Sequence, residues 1–136
     1  MGKASDDVLS FQFPPTTDAV PAARAALDPL RDEIDADVME DARLLVSELV
    51  TNAVRHARLG AHDVIEVSAR VDDGILRVAV RDAGIGFDVA PRTIASSDAA
   101  GWGLHLVAEI ADRWGAAALD EGTEVWFEIA ARRARS

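Results

Sequence analysis

LLVSELVTNAVRHA, residues 44–57, carries the pattern on which the fold turns. On a helix that advances about 100° per residue, Leu45, Val46, Leu49, Ala53 and Ala57 form one apolar arc. Glu48 and Asn52 stand one turn apart at the edge of that arc, and His56 follows four residues on. A solvated flank has no need of a carboxylate, an amide and an imidazole stacked beside the core. A site for a cation or a phosphate group does. The helix therefore reads as the floor of a ligand pocket.

Outward from this stretch the helix extends over 36–58, with Gly60 ending it. Upstream, VLSFQF at 8–13 alternates as a short strand, and Pro14-Pro15 stops it. Asp18 is placed to cap a helix over 19–34, with Pro21 tolerated in its first turn and Pro29 kinking or breaking it. Downstream, 63–71 alternates with Ile65, Val67, Ala69 and Val71 on one face. Asp72-Asp73-Gly74 is a hairpin signal, and 75–82 returns with Leu76, Val78 and Val80 inward. By the same period of two, Asp82 also points inward.

Residues 83–100 have weak periodicity and a length typical of a lid. A helix over 101–114 follows, with Leu104, Val107, Ala108 and Ala111 on one side. A weak strand over 115–119, a turn at Glu121-Gly122 and a strand over 123–130 complete the chain, the last with Thr123, Val125, Phe127 and Ile129 inward. Hairpin-paired strands with interspersed helices give an α+β fold. The expected form is a two-layer sandwich, a mostly antiparallel sheet with helices on one face. Residues 8–130 are expected to form one domain, between a loose start (1–7) and a basic tail (131–136).

The 136 residues carry a formal net charge of −10, which argues against a nucleic-acid footprint. The absence of cysteine excludes disulfides and thiolate metal sites. No apolar run reaches membrane-spanning length and no signal-peptide core is present at the start, so a cytoplasmic protein without a membrane partner is expected. Histidines 56, 62 and 105 lack metal-ligand spacing. Trp102, Trp114 and Trp126 read as packing residues.

Some polar residues break the core pattern. An inward carboxylate at Asp82 is costly unless it is hydrogen-bonded. It either caps the next turn or accepts from an exocyclic amine at the bottom of a pocket. Asp82-Ala83-Gly84-Ile85-Gly86-Phe87 supplies glycines that let a ligand approach the backbone. Gly101-Trp102-Gly103-Leu104 opens a helix, where free N–H groups and the helix dipole favour an anion, although an ordinary loop-to-helix turn has the same look. Neither a Walker loop nor a dinucleotide fingerprint occurs.

Taken in order, these features resemble the ATP-binding domain shared by gyrase, the heat-shock chaperone ATPase, histidine kinases and mismatch-repair ATPases, the GHKL type with the Bergerat fold. The run from Glu48 through Asn52 to His56 looks like its N box. Asp82, Gly84 and Gly86 look like the first glycine box, Gly101, Gly103 and Leu104 like the second, and Gly122-Thr123 like the closing Gly-Thr. The resemblance covers roughly 8–130. Within it, the chain looks most like the stand-alone bacterial anti-sigma factor serine/threonine kinases.

That resemblance implies ATP and Mg²⁺ as cofactors. It implies Asn52 as the metal ligand, Glu48 as the catalytic base or water-positioning group, and Asp82 as the acceptor of the adenine amine. Thr123 would support the adenine through Asp82 or a water. Gly84, Gly86, Gly101, Gly103 and Leu104 would serve the lid and phosphates, with Arg55 assisting phosphate charge. The implied partners are an antagonist protein, phosphorylated on a hydroxyl, and a sigma factor, with the chain as a homodimer. The length is expected to leave no room for the phosphoacceptor helices of a histidine kinase or the transducer domain of the larger ATPases. The alternative is a regulatory module that binds ATP without turning it over. It is suggested by Trp102 inside the second box and by Arg92 as the only basic residue of 87–100.

Overall fold

A computed structural model describes residues 8–56, 64–82, 105–119 and 122–132. Strand β1 (Leu9–Phe13) leads into helix α1 (Ala19–Ala25), a 3-10 turn (Asp28–Glu33) and the long helix α2 (Ala36–His56). Strands β2 (Ile65–Asp72) and β3 (Ile75–Asp82) follow, then helix α3 (His105–Ile110), β4 (Arg113–Leu119) and β5 (Gly122–Ala130). The strands form one five-stranded sheet in the order β1-β2-β3-β5-β4. All four pairings are antiparallel.

The hairpin at Asp73-Gly74 sets the register of the two central strands. Both residues have positive φ, 56° and 76°. A two-residue turn of this kind matches the right-handed twist of its strands. From it the ladder places Leu76, Val78, Val80 and Asp82 opposite Val71, Ala69, Val67 and Ile65. On the far side, Ile129, Phe127, Val125 and Thr123 pair with the same four β3 residues. The inner face is therefore continuous across three strands. Ile65, Leu76, Val78 and Phe127 are fully buried on it.

Helix α2 covers this face. Val38, Ala42, Leu45, Val46 and Val50 have no exposure, and Leu49 has almost none. The buried stripe is wider than the arc read from the sequence, which omitted Val50. The physical reason is a second neighbour: α2 packs against α1 as well as the sheet. Ala19 and Ala23 of α1, with Leu27, Leu30 and Ile34, fill that flank. The expected break around Pro29 is found, with α1 ending at Ala25 and Pro29 in the first turn of the 3-10 segment.

Two local expectations are corrected. Asp18 makes no side-chain capping bond. The carbonyls of Thr16 and Thr17 instead accept from Ala19 N and Val20 N at 2.9 and 3.2 Å. The helix expected over 101–114 stops earlier, because Arg113 and Trp114 belong to β4. Asp112 fixes the change of direction: its N–H donates to the Glu128 carbonyl at 2.9 Å, and its carboxylate accepts from Ala130 N at 2.8 Å. Trp114 then registers against Phe127. Within α3, Val107 is buried and Ala108 is exposed, so the inward side is turned from the expected one.

The outer face of the sheet is polar and pairs charges across strands. Arg77 donates to Glu128 at 3.0 Å, and Arg81 to Glu124 at 3.5 Å. The Arg77 guanidinium also lies 4.3 Å from the centre of the Trp126 ring. Gly115 sits under that ring, where a Cβ would approach Trp126 Nε1 to 2.7 Å.

Candidate functional site

One end of the sheet is tied to the start of α2. Asp35 N donates to the Ala131 carbonyl, and Ala131 N donates to the Gly74 carbonyl, both at 2.9 Å. Arg132 adds a bond to Asp35 Oδ1 at 3.2 Å and one to the Asp32 carbonyl at 2.9 Å. The helix and the central strands thus share an origin at the β2–β3 hairpin. A helix gains about 1.5 Å per residue and a strand about 3.3 Å. From Ala36 to Asn52 is therefore about 24 Å of helix, and from Ile75 to Asp82 about 23 Å of strand. The polar part of α2 and the polar end of β3 lie at matching lengths from that shared origin.

Asp82 is buried, 6% exposed, on the face beneath α2. It is the one buried charged or polar residue among the described residues. Its neighbours on β2 and β3 are apolar: Ile65 directly opposite, Val80 two residues back and Val67 on the diagonal, each 3% exposed or less. On the other side the register brings Thr123 of β5 opposite Asp82. No buried polar side-chain atom among the described residues is left without a partner. Asp82 itself is engaged in an interaction.

Glu48 and Asn52 are half-buried and occupy successive turns of α2. Their spacing puts them about 5–6 Å apart at Cβ on one side of the helix. Ser47, next to Glu48, donates to the Arg43 carbonyl at 2.9 Å and so is held by the helix itself. Among the described residues there is no cluster of three or more His, Asp or Glu suited to a metal ion. A divalent ion that arrives on phosphates needs fewer protein donors than that.

The structure thus places Glu48, Asn52 and Asp82 as expected from the sequence: two on the edge of the core helix and one inward at the strand end. It places the backbone of Thr123 across from Asp82. Gly84, Gly86, Gly101, Gly103 and Leu104 lie outside the described residues, as do Trp102 and the 83–100 segment, and the side chains of Arg55, His56 and Thr123 are not described. Sequence reasoning did not single out Ile65 at the site, although its period-two alternation and the hairpin register together locate it opposite Asp82. No described helix is long and apolar enough to cross a membrane.

Comparison with known proteins places this geometry in context. Residues 13–129 match the model of the histidine kinase-like ATPase domain. The chain is 40% identical to an anti-sigma F factor of Halalkalibacterium halodurans over 63 residues, 46% of this chain and 40% of that protein. It is 33% identical to the serine-protein kinase RsbW of Listeria innocua over 89 residues, 63% of this chain and 57% of that protein. The chain spans about half the length of these curated relatives.

Among solved structures, the RsbU and RsbW domains of Rv1364c from Mycobacterium tuberculosis superpose with a TM-score of 0.70 at 23% identity, over 95% of this chain and 35% of that one. The catalytic domain of the histidine kinase ThkA gives a TM-score of 0.55 at 12% identity, over 94% of this chain and 99% of that one. At these identities the likeness concerns the fold.

Proposed function

The chain belongs to the histidine kinase-like ATPase domain family, and from that premise we propose that it is an ATP-dependent serine/threonine protein kinase of the anti-sigma type. Its substrate is a hydroxyl on an antagonist protein, and its other partner is a sigma factor. The relatives named as an anti-sigma F factor and a serine-protein kinase support this choice within the family. The observation that carries it is the buried carboxylate of Asp82 under the helix that bears Glu48 and Asn52.

The roles follow from chemistry. A buried carboxylate is stable only when its oxygens are hydrogen-bonded, and the exocyclic amine of adenine is a matching donor. Asp82 therefore holds the base, with Thr123 opposite it in the ladder as a second polar group. The Asn52 side-chain oxygen is a hard donor of the kind Mg²⁺ accepts, and it fits a metal that keeps most of its ligands on phosphate and water. When bound, Mg²⁺ neutralises charge on the phosphates. Glu48, one turn before Asn52, takes the proton of the attacking hydroxyl or orients it. Phosphoryl transfer depends mainly on positioning and charge neutralisation, so two side chains on one rigid helix suffice at this end of the site. The family analogy adds a homodimer, which sedimentation velocity tests.

The deciding experiment is incubation of the chain with γ-labelled ATP and candidate antagonist proteins. Label transferred to a serine or threonine of one of them, and lost with Glu48→Ala, is the expected result. Nucleotide-dependent retention of the partner without any transferred label would overturn the kinase reading in favour of a regulatory module that uses ATP only as a ligand.

A further inference from the structure

Helix α1 buries Ala19 and Ala23 where it packs on α2, and side chains this short let the two helices approach closely. Arg24 follows Ala23 on the exposed side of α1, and the 3-10 turn then brings Asp28 toward α2. Between the helices lies an open cleft lined by Pro21, Arg24, Ala25, Asp28 and Arg43. Arg43 of α2 pairs with the Asp28 carboxylate. The Asp28 carbonyl accepts from Arg31 Nε at 3.5 Å. Among the described residues Arg24 has no ion-pair partner. The lining is thus net positive in a chain whose formal net charge is −10.

We infer that this cleft is a docking site for an aspartate or glutamate side chain in a segment of a partner protein. Asp28 is a built-in stand-in for that side chain. The Asp28 and Arg43 side chains are 41% and 30% exposed, and an ion pair so open to water shifts an equilibrium by about fivefold at most. An incoming carboxylate therefore replaces Asp28 on Arg43 at little cost. It also gains Arg24, whose planar guanidinium can take a carboxylate through two parallel hydrogen bonds. Pro21 and Ala25 give the stem of the bound side chain a short apolar wall. Leu44, next to Arg43 on α2, is exposed. A single exposed leucine carries no message alone; beside the arginines it offers the bound segment an apolar contact. A phosphate chain fits less well, because it needs an extended basic face. Here Asp32 follows Arg31, and Glu40 stands three residues before Arg43, both exposed. The cleft does not include Glu48, Asn52 or Asp82, so docking there needs neither nucleotide nor phosphate transfer.

Amide NMR titration of the chain with a hexaglutamate peptide tests the site. At physiological ionic strength, charges more than about 8 Å away are largely screened, so the cleft itself decides the outcome. Saturable shifts centred on Arg24, Ala25, Arg43 and Leu44 are expected. Arg24→Gln should weaken the fitted Kd by about fivefold or more, and Asp28→Asn, which removes the internal competitor, should tighten it by about threefold. Arg70→Gln removes the same charge from an exposed position on β2 and should leave Kd within about twofold of wild type. Thermal melts establish that each variant is folded. No saturable binding by the wild type, or an equal loss with Arg70→Gln, would overturn the site. An unchanged or weaker Kd for folded Asp28→Asn would overturn the role of Asp28 as competitor. Oligothymidylate binding at least as tightly as hexaglutamate would overturn the assignment to an acidic protein segment.

Discussion

Asp82 and Thr123 stand directly opposite each other in the last rung of the β3–β5 ladder, where β3 ends. Every described inner-face position further along these two strands is apolar, from Val80 and Val125 to Leu76 and Ile129. On the proposed reading, this rung is where the core stops and the base-binding end of the site begins. The same ladder ends, on the β2 side, in Ile65.

On the proposed reading, Glu48 and Asn52 separate chemistry from binding. Glu48→Ala should leave the affinity for Mg-ATP within about twofold of wild type and slow phosphate transfer by 10²-fold or more, the usual scale of a lost general base. Asn52→Ala should weaken binding of Mg-ATP more than binding of metal-free ATP. Calorimetry with and without Mg²⁺, together with a transfer assay, reads both. Unchanged transfer by the Glu48 variant would remove that residue from the mechanism.

Among the described residues Phe127 is the largest fully buried side chain, and it lies on the inner face between Val78 and Trp114 in register. Phe127→Ala should cost about 3–5 kcal/mol, a large part of the stability of a domain this size. Urea unfolding measures it. A loss below about 1 kcal/mol would mean that the core is not centred there.

On the outer face, Gly115 is required by Trp126. A Cβ at 115 would meet the indole at 2.7–2.9 Å, and the ring is held by the Arg77 guanidinium above it. Gly115→Ala should therefore destabilise by about 1–3 kcal/mol. Replacing Trp126 with leucine in the same chain should recover most of that loss, a coupling that a double-mutant cycle by chemical denaturation reads directly. Additive effects would show that the ring moves aside freely.

The Asp73-Gly74 turn gives a fourth, smaller effect. Gly74 has φ +76° with open space around it, so Gly74→Ala meets backbone strain and no clash. A loss of about 1 kcal/mol is expected in thermal or urea melts, and a gain in stability would contradict the turn geometry.

The sheet and α2 were legible because period carries them. Alternation in 63–71 and 75–82 gave the strand faces, and Asp73-Gly74 gave the register. Together these put Asp82 inward. The i, i+4 spacing of Glu48 and Asn52 was equally plain. What was misread depended on tertiary partners. Val50 joined the buried stripe because α1 provides a second packing surface for α2. Arg113 and Trp114 continue the helical pattern of 101–114 by composition, yet the bonds between Asp112 and β5 draw them into the sheet. Asp18 has the right side chain for a cap, but the turn at Thr16 and Thr17 already satisfies the first N–H groups of α1.

The most direct test of the central claim is calorimetric titration of Mg-ATP into the wild-type chain and into Asp82→Asn. The buried carboxylate as adenine acceptor predicts saturable one-site binding by the wild type and at least a tenfold loss of affinity in the variant, with its melting temperature showing a folded protein. Equal affinity in the two proteins, or no binding by the folded wild type, would contradict it.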